Sequence, residues 1–339
     1  MKATEQPSLR NLNTLGVDAS AALMLTLESE EDLLSLPPFD PGRDLLLGGG
    51  SNLLLAGDVP GIVLQNRLLG IEILESGQHH VTIEAGAGEN WHNLVLWSLS
   101  QGLSGLENLS LIPGLVGAAP IQNIGAYGVE LASVLENVTA WDLQKHGWAS
   151  FSCEECELAY RDSLFKSDSP DRYLITSVRL QLNRRFTPRL EYSGLAEELD
   201  RLGISRPTAT DVSDAVIRLR RRKLPDPLVL GNAGSFFKNP VLDREDALSL
   251  LALNPKMPAW THTDETMKIS AAWMIEHCGF KGFRHGDAGV SEQHALVIVN
   301  HGAATGHQLV ELANKIESTV YSTFGVRLEP EPRIVDFSA

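Results

Sequence analysis

From Asn108 to Gly128 the chain runs without a charged residue, and glycines stand at 114, 117, 125 and 128. A loop of this length is seldom only a connection. An uncharged, glycine-rich backbone can press against a flat ring or a pyrophosphate and offer N–H donors without steric cost. It can also be a buried connection that needs unusual dihedrals. Either way, regular structure on both sides must hold it.

The flanking sequence predicts that structure as mixed. Ser29 and Asp32 have the spacing of a capping box for a short helix ending near Leu36. Residues 44–47 read as a buried strand, and 62–64 and 71–74 as short apolar runs. Val81, Ile83 and Ala85 alternate as in a half-buried strand. Trp91, Leu94, Val95 and Leu99 have helical spacing, with Gly102 as the stop. Residues 138–143 and 148–152 flank a turn at His146-Gly147, and 174–182 alternate cleanly. Asp211 is expected to cap a helix that Pro225 ends. Ile269, Ala272 and Trp273 suggest a helix stopped by Gly279, and 295–299 a strand. Thr305 and Gln308 open a helix to about Phe324, with Leu309, Leu312, Ile316 and Val320 on one face. Residues 326–328 start a last strand. The order is not a regular βα alternation, so the fold class is α+β.

A chain of 339 residues exceeds one ordinary core, and two or three domains are expected. The apolar fraction of 43% and charged fraction of 21% are those of a soluble globular protein. A net charge of −15 repels nucleic acid and anionic membrane, so neither is expected as a partner. An anionic small molecule would need a local basic pocket. The N-terminal residues lack an apolar signal segment, and no uncharged run could span a bilayer. A cytoplasmic protein is expected. Cys153 and Cys156 form a single C-x-x-C with no second pair to complete a zinc site; two reduced thiols are favoured over a redox pair. The ten histidines lack metal-ligand spacing, and no metal is expected.

Five further strings carry chemistry. Gly48-Gly49-Gly50-Ser51-Asn52 follows a strand, and such a turn can cradle phosphate oxygens or simply join two strands. It is not the dinucleotide fingerprint, because position 53 is Leu. Ser235, in GNAGSFFKNP, has no base nearby in sequence, so a nucleophile is disfavoured; a proton donor or a structural serine remains. Arg161 could hold a carboxylate in a bidentate pair or simply face Asp162. Residues 218–222 read as the solvated cationic end of a helix, with Lys223 set apart by the Leu-Pro-Asp-Pro that follows. Glu331, between Pro330 and Pro332, is either a rigidly placed carboxylate or part of an ordinary edge strand.

Together, in this order, GAGENWHNLV, GLENLSLIPG, PIQNIGAYGVEL, YRDSLFK, KLPDP and GNAGSFFKNP resemble the UDP-N-acetylenolpyruvoylglucosamine reductase (MurB) family, in its longer, type I branch. The resemblance runs from Asn13 to Glu331. It implies a two-domain FAD-binding module of the vanillyl-alcohol-oxidase (PCMH) type plus a C-terminal α+β substrate-binding domain. The implied divisions are 1–70 joined by 328–339, then 71–222, then 223–327, the last closing over the UDP-sugar.

The resemblance further implies non-covalent FAD and NADPH as co-substrate. FAD would lie against Gly48, Gly49, Gly50, Ser51 and Asn52, and along Ile112, Pro113, Gly114, Gly117, Ala118, Asn123, Gly125, Ala126 and Tyr127. Hydride would pass from flavin N5 to C3 of an enolpyruvyl group, and a proton from Ser235 to C2. Arg161 and Glu331 would polarise the substrate carboxylate, with Glu331 sharing a proton. Tyr192, Lys223, Asn239, Lys268 and His294 would hold the UDP-sugar, in a monomer. Three departures stand out. Ala118-Ala119 removes any hydroxyl contact to the flavin. His294 replaces a glutamine of some relatives, and Pro332 replaces a valine. A sugar or alcohol oxidase and a non-catalytic nucleotide-sugar binder are the rival readings; the Ser235 and Arg161 strings argue against the first, and Arg161, Ser235 and Glu331 together against the second.

Overall fold

The computed structural model describes residues 1–192 and 194–337; residues 338 and 339 of the expected terminal segment lie outside them. The chain forms two compact units. The first comprises residues 1–7, 21–50 and 59–221, and the second residues 8–20, 51–58 and 222–339.

In the first unit, a four-stranded sheet runs in the order Lys2–Glu5, Ala21–Leu27, Val59–Asn66, Leu45–Leu47. The first pair is antiparallel and the others are parallel. An antiparallel five-stranded sheet has the order Gly147–Ser152, Leu135–Asp142, Tyr173–Asn183, His80–Gly86, Ile71–Ser76. Alternation in 174–182 buries Leu174, Val178, Leu180 and Leu182 in the first unit's cores. The apolar run 71–74 behaves differently. It lies on an edge strand, and Ile73 and Leu74 are exposed. The expected helix Trp91–Ser100 packs Trp91, Leu94 and Val95 into the same core, and Gly102 (φ 70°) ends it.

The second unit has an antiparallel sheet in the order Gly231–Asn232, Ile298–Asn300, Ala288–Val290, Arg284–His285, and a three-stranded one in the order Val241–Asp243, Thr266–Ile269, Ala259–Thr261. The helix Gly306–Phe324 starts at a Thr305/Gln308 capping box and ends at Gly325 (φ 71°). It buries Leu309, Leu312, Ile316 and Val320. Each such side chain contributes about 1.5–3 kcal/mol of burial.

Local expectations fail in four places. Residues 326–328 are not a strand. Val326 and Leu328 are buried as loop residues, and the last strand is Arg333–Val335, parallel to Leu53–Leu55. Ile269 ends a strand, and the helix after it is Ala271–His277. The strand expected over 295–299 is Ile298–Asn300. Asp211 is not the cap of helix Ala209–Lys223. Thr208 receives the Asp211 N–H on Oγ1 (3.2 Å), and Asp211 accepts from the Thr208 N–H (2.8 Å), so Asp211 is the return partner of the box.

Candidate active site

The long loop packs at positions where glycine leaves little or no room for a side chain. A Cβ at Gly117 would lie 2.5 Å from the Ala87 Cβ, and one at Gly49 would lie 3.1 Å from the Gly114 Cα. The 48–50 turn and the 114–118 segment therefore lie backbone against backbone. Three backbone hydrogen bonds seat the loop: Trp91 N–H to Gly114 O, Val116 N–H to Glu89 O, and Gly117 N–H to Ala87 O, at 2.9–3.1 Å. Gly125-Ala126 pairs with Val129-Glu130 around Tyr127 and Gly128, both at positive φ, as a two-residue hairpin turn requires.

Asn123 (φ 43°) is 1% exposed and its side chain is spent inside the fold. It donates to Glu130 Oε2 (2.9 Å) and Ala159 O (3.1 Å) and accepts from Ala132 N–H (3.0 Å). Any contact it makes to a cofactor would come from backbone.

The same clamp reaches the Arg161 turn. Ala159 and Asp162 exchange both backbone hydrogen bonds around Tyr160-Arg161. Arg161 takes φ 57°, a position such turns usually give to Gly or Asn. Its Nη2 donates to Gly125 O (3.0 Å), and its guanidinium lies 5.5 Å from the centre of the Tyr160 ring. Tyr192, half-exposed, packs edge-on against Tyr127 at 5.0 Å.

Two residues of this half were missed by the sequence reading. Arg220 was assigned to a solvated helix end, but its Nε is buried and meets no acceptor among the described residues. Burial is the main cause lowering its pKa; the Arg161 cation adds to this, while Tyr127 opposes it. Its position was legible: Ser213, Val216 and Arg220 fall at i, i+3 and i+7 on the helix face that buries Val212, Ala215 and Leu219. Ser110 and Ser213 hydroxyls, 2.7 Å apart, tie the loop to that helix. Asn108 is the other. Its Nδ2 donates to Tyr127 O and Arg189 O, and its buried Oδ1 has no partner among the described residues. A glycine cradle, an enclosed guanidinium and an orphan amide oxygen fit a large planar group with a pyrophosphate, as FAD has.

The second unit arranges the remaining candidates. Glu331 N–H donates to Phe236 O (2.8 Å), Lys238 N–H donates to Glu329 O (2.9 Å), and Phe237 bridges Pro330. This short antiparallel ladder fixes the segments carrying Ser235 and Glu331 in one register. Asn52 Nδ2 donates to Glu331 O (3.3 Å), and Asn52 O accepts from Arg333 N–H. Asn232 orders the chain before Ser235 through Pro225 O, Leu230 O and Gly234 N–H. Gly231 is pressed against Leu15 O, so the N-terminal Asn13–Val17 string buttresses it.

Asn239 Oδ1 accepts the Ala271 N–H (3.0 Å), which leaves its NH₂ as the outward group. His294 Nδ1 accepts the Leu296 N–H (3.2 Å). Burial, then the cations of Lys223 and Lys281, push His294 below its ordinary range. The neutral ring so assigned carries its proton on Nε2 and is a donor. Lys223, the exposed last residue of its helix, is thus among the charges felt by His294. Lys268 lies between Val241 and Trp260 in the three-stranded sheet.

Cys153, Cys156 and Cys278 are free thiols. Burial pushes Cys153 up and Cys156 up to about 12, the opposite of a reactive pair. Among the described residues no cluster could hold a metal ion, and no helix is long and apolar enough to cross a membrane.

A glycine-lined backbone cradle in the first unit, and in the second a ladder that fixes a hydroxyl-bearing and a carboxyl-bearing segment in register, on a mixed α+β framework, are the parts of a flavin-dependent oxidoreductase. Residues 43–145 match a family described as an FAD binding domain, and residues 226–335 match the C-terminal domain of UDP-N-acetylenolpyruvoylglucosamine reductase. A reductase of that name from Chromobacterium violaceum is 50% identical over 331 residues, covering 96% of this chain and 97% of the relative. One from Pseudomonas fluorescens is 49% identical over 335 residues, covering 98% of both. The crystal structure of the reductase (MurB) from Thermus caldophilus superposes with a TM-score of 0.69 at 27% identity, covering 99% of this chain and all of that one. The chain belongs to the UDP-N-acetylenolpyruvoylglucosamine reductase family.

Proposed function

We propose that the protein reduces the enolpyruvyl ether of UDP-N-acetylglucosamine to UDP-N-acetylmuramate, a cytoplasmic step in peptidoglycan precursor synthesis, as a monomer with NADPH as electron source. The observation that carries this reading is the 236–238/329–331 ladder, which locks the Ser235 and Glu331 segments in one register. FAD, held without a covalent bond along 48–52 and 112–127, would supply the two-electron relay from NADPH to C3.

The chain's own residues supply the rest. Arg161 clamps the substrate carboxylate, where negative charge grows as C3 is reduced. Glu331 shares a proton with that carboxylate. Ser235 delivers a proton to C2, converting the CH₂=C unit into CH₃–CH; a positioned general acid contributes roughly 10²–10⁴ in rate. Asn239 NH₂ and His294 Nε2–H are both donors, matching an acceptor-rich diphosphate, with Lys223, Lys268 and Tyr192 completing the grip. The Arg161 and Arg220 guanidinium groups give an anionic ligand its local basic surroundings in a chain of charge −15. The three-part division at 70/71 and 222/223, with residues 328–339 returning to the first part, belongs to the same reading.

The test is an anaerobic titration followed in the visible. The yellow protein should bleach with NADPH and recolour with the enolpyruvyl UDP-sugar. Recolouring only when oxygen is admitted would point instead to an oxidase, and a protein that binds no flavin would end the reading.

A further inference from the structure

The Tyr160-to-Lys166 string contains one basic side chain, that of Lys166, that this reading leaves unused. Lys166 lies on the π-helical turn Leu164–Asp168 and is half-buried. Its Nζ donates to the backbone carbonyl of Arg161 at 3.1 Å. Single π-turns are rare and occur often at functional sites. Here the turn brings the ammonium back to a carbonyl five residues earlier, in the one residue of the string with left-handed backbone.

A non-glycine residue keeps that conformation only where its surroundings over-determine it. The flanks are fixed by the Ala159–Asp162 exchange, and by Asp162 Oδ1, which accepts from Ser163 N–H (2.9 Å) and Ser167 Oγ (2.5 Å). Lys166 fixes the strained residue's own carbonyl, while Gly125 O holds the far end of the same side chain. Arg161 is thereby gripped at both ends.

We propose that Lys166 is a positioning residue for the reduction: by holding the Arg161 carbonyl, it keeps the left-handed turn and so the aim of the guanidinium. This rests on Arg161 being the carboxylate clamp. With the ammonium gone, the Arg161 peptide can relax to ordinary dihedrals and the side chain swings with it. A misplacement of about 1 Å in a positioning group costs on the order of 100-fold in rate.

The experiment compares Lys166→Met, Lys166→Arg, Arg161→Ala and the Lys166→Met/Arg161→Ala double variant as holoenzymes, with each half-reaction measured separately by rapid mixing. Lys166→Met should slow oxidation by the enolpyruvyl substrate roughly 10- to 100-fold, with flavin content and the NADPH half-reaction unchanged. Lys166→Arg should restore most of that loss. In the Arg161→Ala background Lys166→Met should add nothing, because both changes remove one function. Amide exchange at Arg161 and Asp162 should quicken in Lys166→Met and not in Lys166→Arg. Losses that multiply in the double variant, or a Lys166→Met protein whose rate per bound flavin is normal, would overturn the proposal. If Arg161→Ala alone leaves the substrate half-reaction intact, the clamp reading itself fails, and amide exchange still reports whether Lys166 holds the turn.

Discussion

Gly117→Ala tests the packing of the long loop directly. The new methyl carbon would lie 2.5 Å from the Ala87 Cβ and 3.2 Å from its Cα and its carbonyl oxygen. Apolar carbons rest at roughly 3.5–4.0 Å, so one side must yield by about 1 Å. Neither side is free to do so. Ala87 is 1% exposed, its N–H donates to Thr176 O (2.8 Å), and its own carbonyl accepts the Gly117 N–H (2.9 Å). Overpacking against fixed backbone costs about 1–3 kcal/mol, and the upper half of that range is expected here. In urea this would appear as a midpoint lowered by roughly 0.5–1 M. Because the displaced backbone is the loop proposed to hold the cofactor, flavin should also be retained less well through purification. Gly57→Ala is the control: its methyl meets nothing within 4 Å and its φ is not in the left-handed range. It should be neutral, or stabilising by up to about 1 kcal/mol. If Gly117→Ala matches wild type in both midpoint and flavin content, the packing argument for the loop is wrong.

Ser235→Ala should lower the substrate half-reaction by roughly 10²–10⁴ while leaving NADPH-driven bleaching intact; a loss in both half-reactions would argue against a proton donor. Burial holds the Glu107 carboxyl above its ordinary 4.5, outweighing the Gly105 N–H it accepts. Its contribution to stability is therefore fully present in acid and is lost as pH rises through the folded value. Glu107→Gln should match wild type in acid and exceed it at neutral pH in urea midpoints; a pH-independent difference would refute this. His294 is held below its ordinary 6.5, so its contribution is present above that value and is lost as pH falls through the folded one. His294→Gln should keep turnover and flatten the acid limb of the stability profile, and an unchanged limb would count against the assignment. With Cys156 near 12, the native protein should react only slowly with iodoacetamide at that thiol, and Cys153→Ala/Cys156→Ala should keep both half-reactions. Loss of turnover on thiol removal would revive the redox reading.

Elements whose signals are local were legible. The capping boxes at Ser29/Asp32 and Thr305/Gln308 and the hairpin around His146-Gly147 all formed where their residues demanded. Elements decided by a distant partner were not. Residues 326–328 have a strand-like pattern, but the strand forms at Arg333–Val335 because only that segment meets Leu53–Leu55. The apolar run at 71–74 gave no sign that it would lie exposed on a sheet edge. The site shows the same division. Each of the Ser235 and Glu331 strings was visible alone, whereas the ladder that aligns them joins residues about ninety positions apart and is written in neither. Arg220 was misjudged because a basic run at a helix end is usually solvated; the period of Ser213 and Val216 beneath it was the better guide.

Among the described residues, eight that are not glycine take positive φ, and four of them fall in the segments of the proposed site. Leu111, Asn123, Tyr127 and Arg161 all have positive φ without being glycine. Each such residue costs roughly 1–2 kcal/mol, and four together are a sizeable fraction of a typical net stability of about 5–15 kcal/mol. Each is met by a specific polar holder. His92 Nδ1 accepts the Leu111 N–H (3.0 Å), Glu130 accepts from the Asn123 side chain (2.9 Å), Asn108 donates to Tyr127 O (2.8 Å), and Lys166 donates to Arg161 O (3.1 Å). All four holders occur within the strings that carry the family resemblance, and three of them, His92, Glu130 and Lys166, lie outside the residues proposed for catalysis, cofactor or substrate. On the proposed site, those strings encode two layers at once: the groups assigned to the ligand, and the polar side chains that keep an unfavourable backbone in the one conformation where those groups can work. A substitution in the second layer should therefore appear first as local opening and lost rate, and only later as lost fold.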